Sequence, residues 1–192
     1  AAVQLDGLGA LVVLGKHASQ VQQRIGVGRV GLDCRAVVLL GVVEVSELKK
    51  AMKSNTVLVS IMYANNEVGT IQPIAEIGEL IKKINTKILF HIEAVQEANF
   101  LDCDVKKLGV DLLTLSGHKI YGPKGVGALY VKRGTPIAPI IYGGGHERGL
   151  RSGTENVAGI VGLGQAVKEI QNPKLKIQNI RIRQFRDKLI KT

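Results

Sequence analysis

The chain has few cysteines, few aromatic residues and no membrane-length apolar run. Two cysteines, Cys34 and Cys103, cannot build the disulfide framework of a small secreted scaffold. A reducing, cytoplasmic setting is therefore the expectation. No apolar stretch is long enough to cross a bilayer. The run Leu8 to Leu14 follows no basic segment, so it does not read as a signal peptide. No membrane partner is expected. The net charge is +10, which raises the question of an anionic partner. From Lys168 to Thr192, eight Lys or Arg stand against Glu169 and Asp187. That segment lacks the stacking pattern of single-strand binders and reads as a solvated helix face. With no recognition motif, a nucleic-acid partner is not expected.

A hydrophobic fraction of 45% over 192 residues suits a folded domain, or part of a larger one. The first forty or so residues are hard to assign. They mix the apolar runs Leu11 to Leu14 and Ala36 to Leu40 with scattered glycines. Gly26 to Gly31 spells GxGxxG, but a polar segment precedes it and no helix opens after it, so the dinucleotide reading is set aside. From Val43 the pattern is regular. Glu44 to Lys53 reads as a short amphipathic helix with Val45, Leu48 and Met52 on one side. Val57 to Tyr63 suits a buried parallel strand. A helix then starts at Gln72-Pro73, with Ile74, Ile77, Ile81 and Ile84 on its inner face. Strands are expected at Lys87 to Ile92, Asp111 to Leu115 and Val126 to Val131, and helices at Asn156 to Ile170 and Leu175 to Ile190, separated by Pro173. Alternating strands and helices predict an α/β fold with a mainly parallel sheet and flanking helices.

Ligands of such sheets sit at the carboxyl ends of the strands. Three polar clusters fall there: Asn65-Asn66-Glu67, then Glu93 and Gln96, then Ser116-Gly117-His118-Lys119. One such cluster is an ordinary loop; three in matching positions point to a site. A lysine held at a strand end among glycines can be partly desolvated, and its free amine can then form a Schiff base. Gly122 to Gly127 lacks the GxxxxGK[ST] order of a phosphate loop and reads as a tight turn.

Leu115 to Tyr130 (LSGHKIYGPKGVGALY) resembles the pyridoxal-phosphate (PLP) lysine segment of the cysteine desulfurase and selenocysteine lyase family, within the class V aminotransferases. Met62 to Pro73 resembles that family's asparagine loop, and His91 to Gln96 its His-x-Asp-x-x-Gln strand end. Gly143 to Asn156 resembles the segment that reaches the neighbouring subunit. The likeness runs from about Val42 to at least Val167.

The resemblance implies the type I PLP fold, large-domain portion, and a homodimer. Lys119 would hold PLP and act as the acid/base at the substrate's Cα. Gln96 would donate to the cofactor's phenolic oxygen, and Ser116 and His118 would bind its phosphate. Thr154 would complete that phosphate site from the partner subunit, and Asn66 would orient the substrate carboxylate and the ring. Glu93 stands where the family has Asp, paired with the ring nitrogen. Its stem is one methylene longer, and a misplacement of about 1 Å can cost ~100-fold in rate. Glu97 reads as a second acid on a surface loop. His91 and His146 are assigned no chemistry. Cys103, between Asp102 and Asp104, should have a raised pKa, and both cysteines read as bystanders.

The resemblance further implies L-cysteine or a related amino acid as substrate. The products would be L-alanine and sulfur passed to an acceptor or scaffold protein for iron–sulfur cluster assembly. It divides the chain into residues 1–41 (a divergent segment), 42–172 (the PLP-binding portion) and 173–192 (a basic helix leading toward a small domain). The family's phosphate-cupping loop and ring-stacking histidine find no match in Ala1 to Leu40, and its nucleophilic cysteine loop is expected beyond Thr192. A non-catalytic remnant of the fold and a selenocysteine lyase stay open beside the desulfurase.

Overall fold

The computed structural model describes residues 11–14, 36–39, 43–67 and 69–191. The GxGxxG segment, His17 and Cys34 lie outside them. Among the described residues, six strands lie side by side in chain order: β1 (Leu11–Leu14), β2 (Ala36–Leu39), β3 (Leu58–Met62), β4 (Leu89–Glu93), β5 (Leu112–Ser116) and β6 (Gly127–Val131). β1 to β5 are parallel, and β6 runs antiparallel to β5. The expected α/β fold with a mainly parallel sheet is what forms. The two early apolar runs, which the sequence left unassigned, supply β1 and β2 at one side of it.

Helices α1 (Val45–Ala51), α2 (Ile74–Ile84) and α3 (Val105–Leu108) fill the crossovers β2–β3, β3–β4 and β4–β5. Parallel strands laid in chain order and joined by right-handed crossovers put every crossover helix on one face. The core follows that rule. Val59 and Ile61 of β3, Phe90 and Ile92 of β4, and Leu113 of β5 pack against Leu48, Ile77, Ile81 and Leu108 from the three helices. Strand side chains alternate between faces. Ser60, Met62, His91, Glu93, Thr114 and Ser116 therefore share the opposite face, where each is only half-buried.

Two helix details differ from the expectation. Ile84 is 42% exposed, because the inner face of α2 ends at Ile81. Pro173 marks the break between the last two helices as expected, but as the first residue of the second: α4 (Val157–Ile170) ends before it, and α5 (Pro173–Ile190) begins on it, earlier than the expected Leu175. Proline lacks an N–H that the first helical turn has no use for, and the Asn172 side chain caps the turn by accepting from Lys174 N–H at 3.0 Å.

α4 sits on the turn after β5. Leu163 and Ala166 pack with Ile120, and a Cβ on Gly162 would come within 2.6 Å of Pro123. α5 is tied in by Asn179, whose Nδ2 donates to the Asn99 carbonyl at 2.9 Å.

Candidate active site at the carboxyl edge of the sheet

The strand register brings the three polar clusters to one edge. Met62 stands opposite Glu93, and Glu93 opposite Thr114. Tyr63 N–H donates to the Glu93 carbonyl at 2.9 Å and Ala94 N–H to the Thr114 carbonyl at 3.0 Å, extending the ladder past the strand ends. The asparagine loop leaves β3 and folds back on itself: Asn65 N–H reaches the Thr70 carbonyl and Gln72 N–H the Tyr63 carbonyl, each at 2.9 Å. Asn66 is exposed at the tip of this loop, and Gln96 is half-buried in the turn after β4.

Glu93 ends β4 and curls back on its own turn, its Oε1 accepting from Val95 N–H at 2.6 Å. One carboxylate oxygen is thus committed to the backbone. Ser116 ends β5, and its hydroxyl lies 2.8 Å from His118 Nδ1. Lys119 closes a single 3-10 turn, Gly117–Lys119. Gly117 is what lets this turn fold so tightly, since a Cβ there would meet the Pro123 carbonyl at 2.9 Å. Lys119 is exposed. Among the described residues no hydrogen bond or ion pair joins it to Glu93 or Gln96, and they do not supply the partial desolvation expected from the sequence. Thr154 is exposed in the segment between the Glu147–Gly149 turn and α4. Among the described residues nothing bonds it to the Ser116–His118 pair.

Three features were not read from the sequence. Glu97 is not on the surface: it is 2% exposed. Its Oε1 accepts from Ala64 N–H at 2.9 Å, and its Oε2 has no hydrogen-bond partner among the described residues. Burial pushes its carboxyl up to about 7, with the nearby Glu93 adding to the shift and backbone N–H donors opposing it. His91 bridges three strands, its Nδ1 2.7 Å from Ser60 Oγ and its Nε2 2.7 Å from Thr114 Oγ1. Burial holds its pKa below the ordinary value, so a neutral ring links the two hydroxyls. Asn99 joins two site elements: its Nδ2 donates to the Tyr121 hydroxyl at 2.9 Å while its carbonyl accepts from α5. Tyr121 itself adopts φ 66, a left-handed backbone uncommon for a residue with a Cβ.

Cys103 behaves as the sequence suggested, though for a different leading reason. Burial first, then Glu97 and Asp102, pushes its thiol up to about 11. A thiol so raised is a poor nucleophile at neutral pH.

The donor set fits a phosphorylated, electron-poor aromatic aldehyde. It offers an amine (Lys119), a hydroxyl–imidazole pair (Ser116, His118), an amide (Gln96) and a carboxylate (Glu93) at adjacent strand ends. These features define an α/β protein whose polar clusters, Lys119 among them, gather at the carboxyl edge of its sheet. Residues 11–192 match the family model described as Aminotransferase class-V, and the chain belongs to that family.

The chain is 52% identical over 151 residues to the cysteine desulfurase IscS of Clostridium botulinum, covering 79% of this chain and 37% of that protein. To the cysteine desulfurase IscS of Methanosarcina thermophila it is 51% identical over 150 residues, covering 78% and 36%. Among solved structures, a NifS-like protein superposes with a TM-score of 0.78 at 37% identity, covering 97% of this chain and 52% of that one. A structure described as SspA in complex with cysteine gives 0.64 at 38%, covering 83% and 47%. The chain thus spans just over a third of the curated relatives it matches.

Proposed function

We propose that this chain is the cofactor-binding portion of a PLP-dependent cysteine desulfurase acting on L-cysteine. The observation that carries the reading is the register Met62–Glu93–Thr114. It sets the asparagine loop, the Glu93–Gln96 turn and the Ser116–Lys119 turn side by side. The names of the relatives and the cysteine-bound neighbour support the choice of substrate.

When bound, PLP supplies the electron sink that weakens bonds at an amino acid's Cα. This chain's residues hold the cofactor, orient the substrate and move the proton at Cα. Lys119 Nζ holds the cofactor and carries a proton to and from Cα. Ser116 and His118 grip the phosphate, with Thr154 of a second copy completing that grip in a homodimer. Gln96 donates to the phenolic oxygen, Glu93 balances charge at the ring nitrogen, and Asn66 orients the substrate carboxylate. The products are L-alanine and sulfur handed to an acceptor protein for iron–sulfur cluster assembly in the cytoplasm.

Added PLP is expected to give a visible absorbance band with the wild-type chain and none with Lys119→Ala. Borohydride treatment should fix the cofactor on Lys119, as read by peptide mass. A wild-type chain with neither band nor adduct overturns the reading. A second reading, a fold that binds without turnover, is favoured by the raised thiol of Cys103 and by Glu93 in the aspartate position. Sulfide release from cysteine in the presence of dithiothreitol excludes it.

A further inference from the structure

Glu97 belongs to no role assigned above, yet it is the most unusually placed acid among the described residues. Its carboxyl is buried, with 2% of the residue exposed. One oxygen holds the N–H of Ala64 at 2.9 Å, a residue 33 positions away in the chain, and the other oxygen has no hydrogen-bond partner among the described residues. Ala64 opens the asparagine loop, and Glu97 directly follows Gln96. We propose that Glu97 is a positioning residue: its carboxyl latches the asparagine loop to the Glu93–Gln96 turn and so fixes Asn66 and Gln96 relative to one another. This rests on the cofactor site described under Proposed function.

The surroundings decide which form of the carboxyl works as the latch. Glu93 faces it from its own turn. Cys103, from the segment before α3, and Tyr63, from the end of β3, also feel its charge, and Asp102 acts on both of them. These side chains are acids or neutral groups, with no lysine or arginine among them; the backbone N–H donors of Ala64, Glu97 and Gln96 favour the ionised carboxyl, but burial outweighs them and pushes it up to about 7. The neutral acid can accept from Ala64 through its carbonyl oxygen at little cost. The ionised form leaves a buried oxygen charged, unpartnered and near Glu93, which is expensive. The latch should therefore hold below pH 7 and loosen as pH rises through it.

Hydrogen exchange of the Tyr63–Asn66 amides, corrected for intrinsic rates, tests this in the whole chain. Glu97→Ala is expected to speed exchange at Ala64 roughly tenfold, the equivalent of losing one net hydrogen bond. Glu97→Gln keeps a carbonyl acceptor without the charge. It should retain protection at pH 6 and abolish the loss seen in the wild type between pH 6 and pH 8. Wild-type exchange in a folded Glu97→Ala variant overturns the latch, and so does an unchanged pH profile in Glu97→Gln. If Glu97→Ala does not fold, the glutamine profile alone decides. PLP titration adds the link to the site: affinity should fall in Glu97→Ala and recover in Glu97→Gln. Equal affinity in all three removes the positioning role. A wild-type chain that binds no PLP overturns the site reading instead, and leaves the exchange result to judge the contact itself.

Discussion

Asp111 is held from three directions. Its Oδ2 takes Lys82 Nζ at 2.6 Å and the Phe90 N–H at 3.0 Å, and its Oδ1 takes Lys132 Nζ at 3.2 Å. The side chain is 6% exposed, so it joins α2, β4 and the end of β6 away from water. Asp111→Ala would leave the Phe90 N–H without its acceptor and two ammonium groups without a counter-charge. The expected cost is about 2–4 kcal/mol, the lysines being partly solvated, read as a lowered urea midpoint. The pH response has a definite sign. Burial works to raise this carboxyl, but the bonds from Lys82, Phe90 N–H and Lys132 outweigh it and bring the pKa below its ordinary 3.8. A depressed folded value contributes stability above the unfolded pKa that is lost as pH falls through the folded one. Acid unfolding of the wild type should therefore steepen below about pH 4, and Asp111→Ala should flatten it. Residues of this kind were partly legible in the sequence. Lys119, Glu93 and Gln96 could be located because they follow apolar strands in motif order. Glu97 could not, because one acid after Gln96 looks like any exposed loop residue until Ala64 folds over it.

At the scale of elements, β3 to β6 were legible as apolar runs of strand length, and α2 as a period of isoleucines. β1 and β2 were not assigned because four apolar residues between glycines suit a strand or a turn equally well; only pairing with β3 decides. The seat of α2 on the sheet was invisible too, because it depends on a residue with no side chain. Gly78 is buried, and a Cβ there would lie 2.8 Å from the Leu108 carbonyl and 3.4 Å from the Phe90 ring. Backbone cannot yield as a flexible side chain can, so α2 must shift away from α3 and β4. Gly78→Ala should gain a little in helix propensity and lose more to overpacking, for a net destabilisation of about 1–2 kcal/mol. The same change at Gly164, where a Cβ meets nothing within 4 Å, should not destabilise. Paired thermal melts of the two variants check the difference; equal midpoints would mean that α2 has room to spare.

Across the whole molecule, stability is unevenly distributed. The sheet and α1 to α3 enclose one dense core, whereas α5 contributes no buried residue. Phe185 is 71% exposed and Ile190 75%. What ties this helix down is polar and local. Asn179 holds the Asn99 backbone at 2.9 Å, and the Asn99 side chain, with the residue 8% exposed, holds the Tyr121 hydroxyl at 2.9 Å. Regions with few buried apolar contacts open locally at a small fraction of the global free energy. Hydrogen exchange should thus rank the Leu89–Glu93 amides slowest and the Pro173–Ile190 amides among the fastest helical ones. Asn99→Ala removes the donor to Tyr121 and weakens the seat of Asn179 in one step. It is expected to speed trypsin cleavage at Lys176 and Arg181 several-fold while moving the global urea midpoint little. It should also release the left-handed Tyr121, two residues after Lys119, and so loosen the turn that carries the lysine. If cleavage within α5 keeps its wild-type rate, the helix is held by something other than Asn99, and the coupling between α5 and the lysine turn is absent.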